Sequence, residues 1–398
     1  MYPTLKLIPG KEPSVIFGHP WIFSGAIEKP TSPIPHGSFV HVLGYQDEIL
    51  ATGGYSTHGS ISVRIFDYGQ VEIDTAWFEE SLYNCLVKRE LMGYGKGTQT
   101  TGYRVVFGEA DGIPGLVVDR FEDVVVFQIA IAALDQVRDN LIQAITNVLA
   151  PKVLIERSDS ASRGEEGLED VVAVHIGLDP GSVKFLENNI SFFAEPLKGQ
   201  KTGFFLDQKD LRKWILEHPT IFSGANVLNV FSYTGATGIA AAKSGASHVT
   251  NIDSSEFVLE GCQKNATANN ISLELFETQK DDAFQFLGNA EEASYDVVIV
   301  DPPALIKSKR DSEEGKKAYH FLNRAAMKLV KDDGVLITSS CSHFLNEDDF
   351  QFLLRRGSVQ SNTRLETLAM IRQAEDHPSS IYFPESGYLK SFCFQVRR

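Results

Sequence analysis

The segment from Asn226 to Ser255 constrains the fold of this chain more than any other part of it. An apolar strand, a turn of small residues, an Ala-rich helix and a second strand follow one another along it. Their predicted limits are Val227–Phe231, Ser232–Gly238, Ile239–Lys243 and His248–Ile252. The helix stops at Gly245, and the second strand runs into Asp253. This order predicts a βαβ unit whose glycine turn and acid lie at the carboxyl edge of a parallel sheet.

The glycines of this turn narrow the choice of ligand. Gly235 and Gly238 stand in T-G-A-T-G beside Tyr233, so the third glycine of a G-x-G-x-x-G dinucleotide site is missing, and no Lys-Ser/Thr pair of a phosphate loop follows. A glycine lets the backbone approach a ligand closely, and Asp253 offers acceptors for both ribose hydroxyls. The turn therefore favours an adenosine without phosphates, such as S-adenosylmethionine (SAM), over NAD. An inert turn in a Rossmann-like unit is the alternative.

Length and composition limit the class of protein. A chain of 398 residues exceeds what one core usually supports, so two or three domains are expected. No stretch resembles a signal peptide or approaches the about 20 apolar residues that cross a bilayer. The four cysteines are scattered without C-x-x-C or Cys/His ligand spacing, which argues against structural zinc and a disulfide framework. We expect a cytoplasmic protein with reduced thiols, without a metal and without membrane contact.

The net charge of -15 requires any nucleic-acid partner to find a local basic face. Two basic clusters occur, Lys198–Lys213 and Lys307–Lys317, and acidic residues dilute both of them. Either cluster is equally compatible with an ordinary solvated surface. The charge pattern alone therefore neither establishes nor excludes RNA binding.

The chain divides into three predicted regions. Residues 1–70 carry short apolar runs between turn signals, as in a small barrel. Residues 73–180 alternate helical and strand patterns, as in a small α+β module. Residues 181–398 contain the βαβ unit and open with a hairpin that turns at Asn188-Asn189. Smaller predictions within these regions are helices over Trp77–Leu91 and Gln136–Val148, a polar loop over Arg157–Gly167, a strand over Leu273–Glu277, and a strand within Gly334–Ser342 at whose carboxyl end Cys341 emerges.

A buried strand, Tyr295–Val300, runs directly into Asp301-Pro302-Pro303. Proline after a strand ends the ladder and fixes the backbone, so the Asp301 side chain is held at the carboxyl edge of the sheet. D/N-P-P at this place is typical of enzymes that methylate nucleobase nitrogens or ring carbons. One strand earlier, Asp282 stands where a carboxylate can meet the amino group of an adenine.

Cys341 follows the next strand in a polar Ser-Ser-Cys-Ser context. A lone cysteine is usually a small buried hydrophobe, and Cys85, Cys262 and Cys393 are interpreted in that way. The polar context at the catalytic edge favours a nucleophile instead. Carbon 5 of a pyrimidine attacks a methyl sulfonium only after a thiolate has added at carbon 6. Methylation of an exocyclic amine requires no thiol.

From Leu7 to Phe394 the chain resembles the SAM-dependent ribosomal RNA large-subunit cytosine-5 methyltransferases that carry an N-terminal PUA domain. The matching stretches are GHPWIFSGAI, FGEADGIPGLVVDRF, GQKTGFFLDQKDLR, VLNVFSYTGATG, YDVVIVDPPA, TSSCS and QAEDHP…FPESGYLK. The resemblance implies a multidomain α/β protein with a PUA β-barrel at 1–70, a central α+β domain at 73–180, and a class I, Rossmann-like, seven-stranded methyltransferase domain at 181–398. It implies large-subunit ribosomal RNA as the partner and leaves a homodimer open.

The resemblance also implies roles for individual residues. Cys341 would be the nucleophile, and Asp301 would act in the base pocket next to the cofactor. The remaining SAM contacts would be Phe231, Ser232, Tyr233, Gly235, Asp253, Ser254, Asp282, Gln208 and Arg212. Pro302, Pro303 and Lys307 would contact the substrate.

One departure from the family pattern matters for the mechanism. Many RNA cytosine-5 methyltransferases carry a second cysteine directly after the D-P-P segment, where this chain has Ala304. Cys341 is then the sole candidate nucleophile, and the base that releases the product is unassigned, although His343 and His377 are candidates. Methylation of a base nitrogen and a non-catalytic RNA-binding or assembly role are the alternative functions.

Overall fold

The apolar runs near the N-terminus pair into a five-stranded sheet of mostly antiparallel strands. The first elements are β1 Thr4–Lys6, α1 Glu12–Ile16, β2 Trp21–Phe23, β3 Phe39–Leu43, β4 Ile49–Tyr55 and β5 Ile61–Asp67. Their order in the sheet is β1-β3-β4-β5-β2, and a small apolar cluster that includes Leu5, Val40 and Val63 forms the core. This computed structural model describes residues 2–398.

A second five-stranded sheet, of order β10-β9-β8-β7-β6, follows in the chain. Its strands are β6 Gly102–Phe107, β7 Leu116–Phe121, β8 Val124–Ile129, β9 Val153–Ser158 and β10 Val171–Ile176, and its helices are α2 Thr75–Leu91, α3 Ala132–Gln136, α4 Arg138–Leu149 and α5 Ala161–Glu165. The helix predicted over Gln136–Val148 is confirmed as α4, which starts two residues later because Val137 leaves helical geometry and separates α3 from α4. The loop predicted over Arg157–Gly167 is wrong, because it contains α5. Buried Arg163 on that helix donates to Asp135 Oδ1 at 2.7 Å.

The hairpin predicted at Asn188-Asn189 is confirmed. The strands β11 Val183–Glu187 and β12 Ile190–Ala194 form a two-stranded sheet. Both asparagines have left-handed backbone angles, with φ of 50° and 63°, as a two-residue type I′ turn requires.

Contacts within the chain define two units. The first contains the chain up to Asn189 together with Ala194–Leu206 and Glu375–Ser386, and the second contains Ile190–Phe193, Asp207–Ala374 and Gly387–Arg398. The regions 1–70 and 73–180 therefore fall in one unit, which also contains three short segments of the region 181–398, namely residues 181–189, 194–206 and 375–386. The three predicted domain limits do not coincide with these units and stay a prediction.

The second unit is built on a seven-stranded sheet of order β15-β14-β13-β16-β17-β19-β18. Its helices are α6 Lys209–Glu217, α7 Pro219–Phe222, α8 Ala236–Lys243, α9 Glu256–Ala268, α10 Ala283–Asn289, α11 Ser312–Leu329 and α12 Glu347–Gln360. Its strands are β13 Asn226–Val230, β14 His248–Asp253, β15 Phe276–Lys280, β16 Tyr295–Val300, β17 Val330–Ser340, β18 Arg364–Ile371 and β19 Lys390–Arg397. The five strands from β15 to β17 are parallel, and β19 is antiparallel to both β17 and β18.

The βαβ unit over β13, α8 and β14 is confirmed, and so is the strand Tyr295–Val300. The strand predicted over Leu273–Glu277 is wrong by three residues at its start. Leu273 and Leu275 are 48% and 51% exposed, and the first buried residue of the strand is Phe276. The strand predicted within Gly334–Ser342 starts earlier, at Val330, and ends at Ser340. The prediction that Cys341 emerges at the carboxyl end of this strand is therefore confirmed. Within residues 2–398, none of the helices combines the length and the apolar character that spanning a membrane requires.

Candidate active site

The turn after β13 has an unusual backbone. Phe231, Tyr233 and Gly235 all have positive φ, of 59°, 49° and 75°. Side chains at Phe231 and Tyr233 make this conformation costly, by about 1–3 kcal/mol each. Asp253 at the end of β14 supports it, because Oδ2 accepts from Tyr233 N at 3.0 Å and Oδ1 accepts from Ser255 N at 3.0 Å. Strain of this kind is typical of a ligand-binding turn.

The two glycines of the turn leave no room for a side chain. A Cβ on Gly235 would lie 2.2 Å from Cys262 Sγ, and a Cβ on Gly238 would lie 2.4 Å from Asn251 Oδ1. That oxygen accepts a hydrogen bond from Asn229 Nδ2 at 2.9 Å, and both asparagines are buried. The start of α8 is therefore packed directly onto a buried amide pair between β13 and β14.

Polar atoms in this turn are available to a ligand. Ser232 Oγ and Thr234 Oγ1 are buried and have no hydrogen-bond partner among the described residues, and the same holds for Gln208 Oε1. Leaving such an atom unsatisfied costs about 1–3 kcal/mol. Two hydroxyls and an amide oxygen without partners fit a ligand that carries several polar groups, such as a nucleoside with a polar amino-acid end, as in SAM.

The other residues predicted around SAM differ in exposure. Asp282 is exposed and caps α10, accepting a hydrogen bond from Gln285 N at 3.0 Å. The Phe231 ring meets Phe284 edge-on, with 6.2 Å between centroids. Ser254 is exposed, whereas Arg212 is buried on α6.

Asp301 follows β16 directly. Its Oδ2 accepts a hydrogen bond from Gln208 Nε2 at 2.9 Å, so these two predicted site residues are in contact. Pro302 is buried, whereas Pro303 and Lys307 are exposed.

Cys341 is the partly exposed member of the four cysteines, and the other three are buried. Its Sγ lies 3.9 Å from Pro302 O, so the thiol is next to the D-P-P segment. Burial raises the pKa of the Cys85 and Cys393 thiols to about 12 and raises that of Cys262 as well. A thiol acts as a nucleophile only when ionised, so these three are poor candidates.

A cluster of buried hydroxyls holds the residues on either side of Cys341. Ser340 Oγ donates to Tyr319 Oη at 3.0 Å, and Tyr319 Oη also bonds to Ser342 Oγ at 2.9 Å. Ser342 Oγ accepts from Ile306 N at 3.1 Å. The cluster therefore joins the turn at Cys341 to the loop that begins at Asp301.

Sequence reasoning assigned no role to Tyr319, Ser340, Ser342 or Lys390. A signal for the serines was present, since both flank Cys341. Lys390 is a charged residue next to the apolar run of β19, and it donates from Nζ to Ser342 O at 3.0 Å.

The two histidine candidates differ. His343 is exposed. His377 belongs to the first unit, where its Nδ1 lies 2.9 Å from Asp376 Oδ1 and its ring packs 5.2 Å from that of Phe107. These buried contacts within the first unit account for His377 as a structural residue.

Two family models match the chain. Residues 175–371 match the model of S-adenosylmethionine-dependent methyltransferases, and residues 5–68 match that of a PUA-like domain. Among solved structures, a SAM-dependent methyltransferase from Streptococcus mutans matches with a TM-score of 0.84 at 23% identity. The match covers 99% of this chain and 100% of the chain of that methyltransferase. A methyltransferase solved in complex with SAH has a TM-score of 0.85 at 23% identity and the same coverage. These structures share the fold.

Curated relatives match over their whole length. The proteins named Ribosomal RNA large subunit methyltransferase I from Yersinia pestis bv. Antiqua (strain Angola) and Yersinia pseudotuberculosis serotype O:3 (strain YPIII) are each 33% identical over 399 residues, covering 99% of this chain and 100% of the relative. The cofactor is SAM. The chain belongs to the family of SAM-dependent ribosomal RNA large subunit methyltransferases.

Proposed function

We propose that this protein methylates carbon 5 of a cytosine in large-subunit ribosomal RNA, with Cys341 as the covalent nucleophile. The observation that carries the proposal is the position of the Cys341 thiol. It is partly exposed, directly follows β17, and lies 3.9 Å from the carbonyl of Pro302 in the D-P-P segment. Methylation of a base nitrogen would not require a thiol at this position.

The residues then act in a definite order on the base. The Cys341 thiolate adds to carbon 6, forming an S–C bond, and the electron pair of the 5,6 double bond makes carbon 5 nucleophilic. Asp301 stabilises the adduct at ring nitrogen 3, and Gln208 orients this carboxyl group through its 2.9 Å hydrogen bond. After methylation, loss of the carbon 5 proton restores the double bond and expels the thiolate.

SAM supplies the methyl group when bound. Asp253 would accept hydrogen bonds from the ribose hydroxyls, and the hydroxyls of Ser232 and Thr234 would find partners on the ligand. Gly235 would allow close approach of the backbone. The remaining proposed contacts are those of Phe231, Tyr233, Ser254, Asp282, Asp301, Gln208 and Arg212.

The RNA partner rests on the names of the relatives and on the PUA-like match over residues 5–68. Pro302, Pro303 and Lys307 would contact the target nucleotide next to the thiol. We further assign the region 73–180 to a central domain and the region 181–398 to a class I methyltransferase domain, in a cytoplasmic protein.

The test is methyl transfer from labelled SAM to unmodified large-subunit ribosomal RNA, followed by nucleoside analysis. Wild type and Cys341→Ala are compared, with Cys85→Ala as a control that removes a buried thiol in the first unit. We expect 5-methylcytidine from wild type and from Cys85→Ala, and a loss of about a thousandfold or more in Cys341→Ala, with SAM binding retained.

A second readout traps the adduct. RNA carrying 5-fluorocytosine has no carbon 5 proton to lose, so a covalent complex should accumulate with wild type and be absent with Cys341→Ala. A methylated product that persists in Cys341→Ala would overturn the thiol mechanism and favour a base nitrogen. Absence of SAM binding in wild type would favour a non-catalytic RNA-binding or assembly role.

A further inference from the structure

Lys390 is a buried lysine behind the turn that carries Cys341. It is the first residue of β19, stands opposite Ser340 in the antiparallel ladder with β17, and is only 6% exposed. Its Nζ donates to Ser342 O at 3.0 Å and to Leu345 O at 2.5 Å. One ammonium group therefore holds two backbone carbonyls of the segment that follows Cys341.

The charge of this ammonium group is poorly compensated. Both of its acceptors are uncharged carbonyls. The facing charged groups on neighbouring elements are Glu347 and Arg372, and Arg372 Nη2 already binds Glu347 Oε2 at 2.8 Å. A buried charge is costly unless an opposite charge or several hydrogen bonds compensate it.

The group that can supply the missing negative charge is the Cys341 thiol. Burial lowers the pKa of the Lys390 ammonium to about 8, and Cys341 acts on it in the opposite direction. Tyr319, which also feels Cys341, faces the same turn, and burial raises its pKa. Asp301, on the loop facing the thiol, accepts a hydrogen bond from Gln208.

We propose that Lys390 is a positioning residue for the nucleophile, which fixes the Ser342–Leu345 turn and supplies the buried positive charge that favours the thiolate form of Cys341. This proposal rests on the proposed function of Cys341, because a thiolate is needed there only if the thiol attacks the base. An opposite charge close by lowers a thiol pKa. The same ammonium group therefore has a mechanical and an electrostatic role.

The first test measures the thiol itself, without RNA or SAM. The rate of Cys341 alkylation by iodoacetamide is followed by mass spectrometry across a range of pH in wild type, Lys390→Met and Lys390→Arg. Lys328→Met is the control, because Lys328 is a partly exposed lysine of the same unit that pairs with Glu292. We expect alkylation at neutral pH to fall about tenfold in Lys390→Met, to be largely kept in Lys390→Arg, and to be unchanged in Lys328→Met. An unchanged profile in a folded Lys390→Met protein would overturn the proposal.

A second measurement covers the case in which Lys390→Met does not fold. The pKa of Lys390 is determined by NMR of labelled lysine side chains in wild type and in Cys341→Ser, with the signal assigned through Lys390→Arg. Since coupling between two sites is reciprocal, loss of the thiolate should lower the Lys390 pKa. An identical pKa in both proteins would refute the coupling. Neither experiment depends on methyl transfer, so a failure of the cytosine-5 assignment would be seen separately.

Discussion

Two turns at the same edge of the seven-stranded sheet are held by different means. The turn after β13 is held by its backbone, with positive φ at Phe231, Tyr233 and Gly235 and with Asp253 bonded to Tyr233 N. The turn after β17 is held by side chains around it, through the hydroxyl cluster and Lys390. We call the first the nucleoside turn, residues 231–235, and the second the thiol turn, residues 341–345.

Under the proposed function, the difference follows from what each turn has to present. A nucleoside is bound by backbone groups and small side chains, so the backbone itself must take a defined and costly shape. A nucleophile is one atom on one side chain, so its neighbours must fix it without covering it. The nucleoside turn should therefore be sensitive to added volume, and the thiol turn to lost hydrogen bonds and charge.

The largest effect should come from adding volume to the nucleoside turn. In Gly235→Ala the new Cβ would meet Cys262 Sγ at 2.2 Å in a residue with φ of 75°. We expect unfolding free energy to fall by about 3 kcal/mol, from overpacking and left-handed strain together, and SAM affinity to fall with it. Chemical denaturation and titration calorimetry measure the two quantities.

The same substitution in a Cys262→Ala background separates the two causes. Removal of Sγ relieves the steric part, so Gly235→Ala should then cost only about 1 kcal/mol. An equal cost in both backgrounds would show that packing against Cys262 is not what excludes a side chain at Gly235.

The next effect concerns the hydroxyl cluster of the thiol turn. Tyr319→Phe removes the Oη that joins Ser340 to Ser342. We expect a loss of about 2 kcal/mol in stability and about tenfold slower methyl transfer, with SAM affinity unchanged. Steady-state kinetics measures the rate of methyl transfer in Tyr319→Phe. Tyr83→Phe is the control, because Tyr83 is an exposed tyrosine on α2. A weaker SAM affinity in Tyr319→Phe would contradict the separation of the two turns.

The buried charge of Lys390, behind the thiol turn, should make the free energy of unfolding depend on pH. In the folded protein the pKa of Lys390 lies at about 8, compared with an ordinary 10.5. Between these values the unfolded chain binds more protons, so unfolding free energy gains from this group as the pH rises, by at most about 1.4 kcal/mol per pH unit. Below pH 8 the folded protein bears the full cost of the buried charge.

The buried thiols of Cys85 and Cys393 act in the opposite direction above pH 9, because their pKa is raised to about 12. The measured quantity is therefore the difference in unfolding free energy between wild type and Lys390→Met, by urea denaturation from pH 7 to pH 10.5. It should rise with pH above 8, whereas the difference between wild type and Thr234→Val should stay flat. A flat difference for Lys390→Met would disprove the assignment.

The smallest effect comes from a matched pair of helix caps, one beside each turn. Asp282 caps α10 by accepting from Gln285 N at 3.0 Å, and Asn346 caps α12 by accepting from Asp349 N at 2.7 Å. Each change to Ala should cost about 1 kcal/mol of stability. Only Asp282→Ala should also weaken SAM binding in calorimetry. Equal SAM affinities in the two variants would remove Asp282 from the proposed cofactor site.

Part of this site was predictable because its residues are local in sequence. The strand Tyr295–Val300 and the D-P-P segment are contiguous, so a buried run followed by proline places Asp301 at the edge of the sheet. Gly235 and Asp253 were predictable for the same reason, because both belong to one contiguous βαβ unit. Gly235 directly precedes α8, and Asp253 is the last residue of β14. The predicted ends of strands were less accurate where burial decides them. Leu273 belongs to a run in which apolar and polar residues alternate, but it lies outside β15.

The amino-acid pattern alone was enough to predict the βαβ unit, the glycine turn, and the acids and the thiol that follow parallel strands, because the carboxyl ends of parallel strands meet at one edge of a sheet. The residues that stand behind that edge became known only from the folded chain. Tyr319 and Lys390 are 22 residues before and 49 residues after Cys341 in the chain, and both bond to Ser342 because α11 and β19 pack beside β17. No short-range pattern encodes such contacts, since they depend on how distant apolar faces pack and on which polar groups that packing buries.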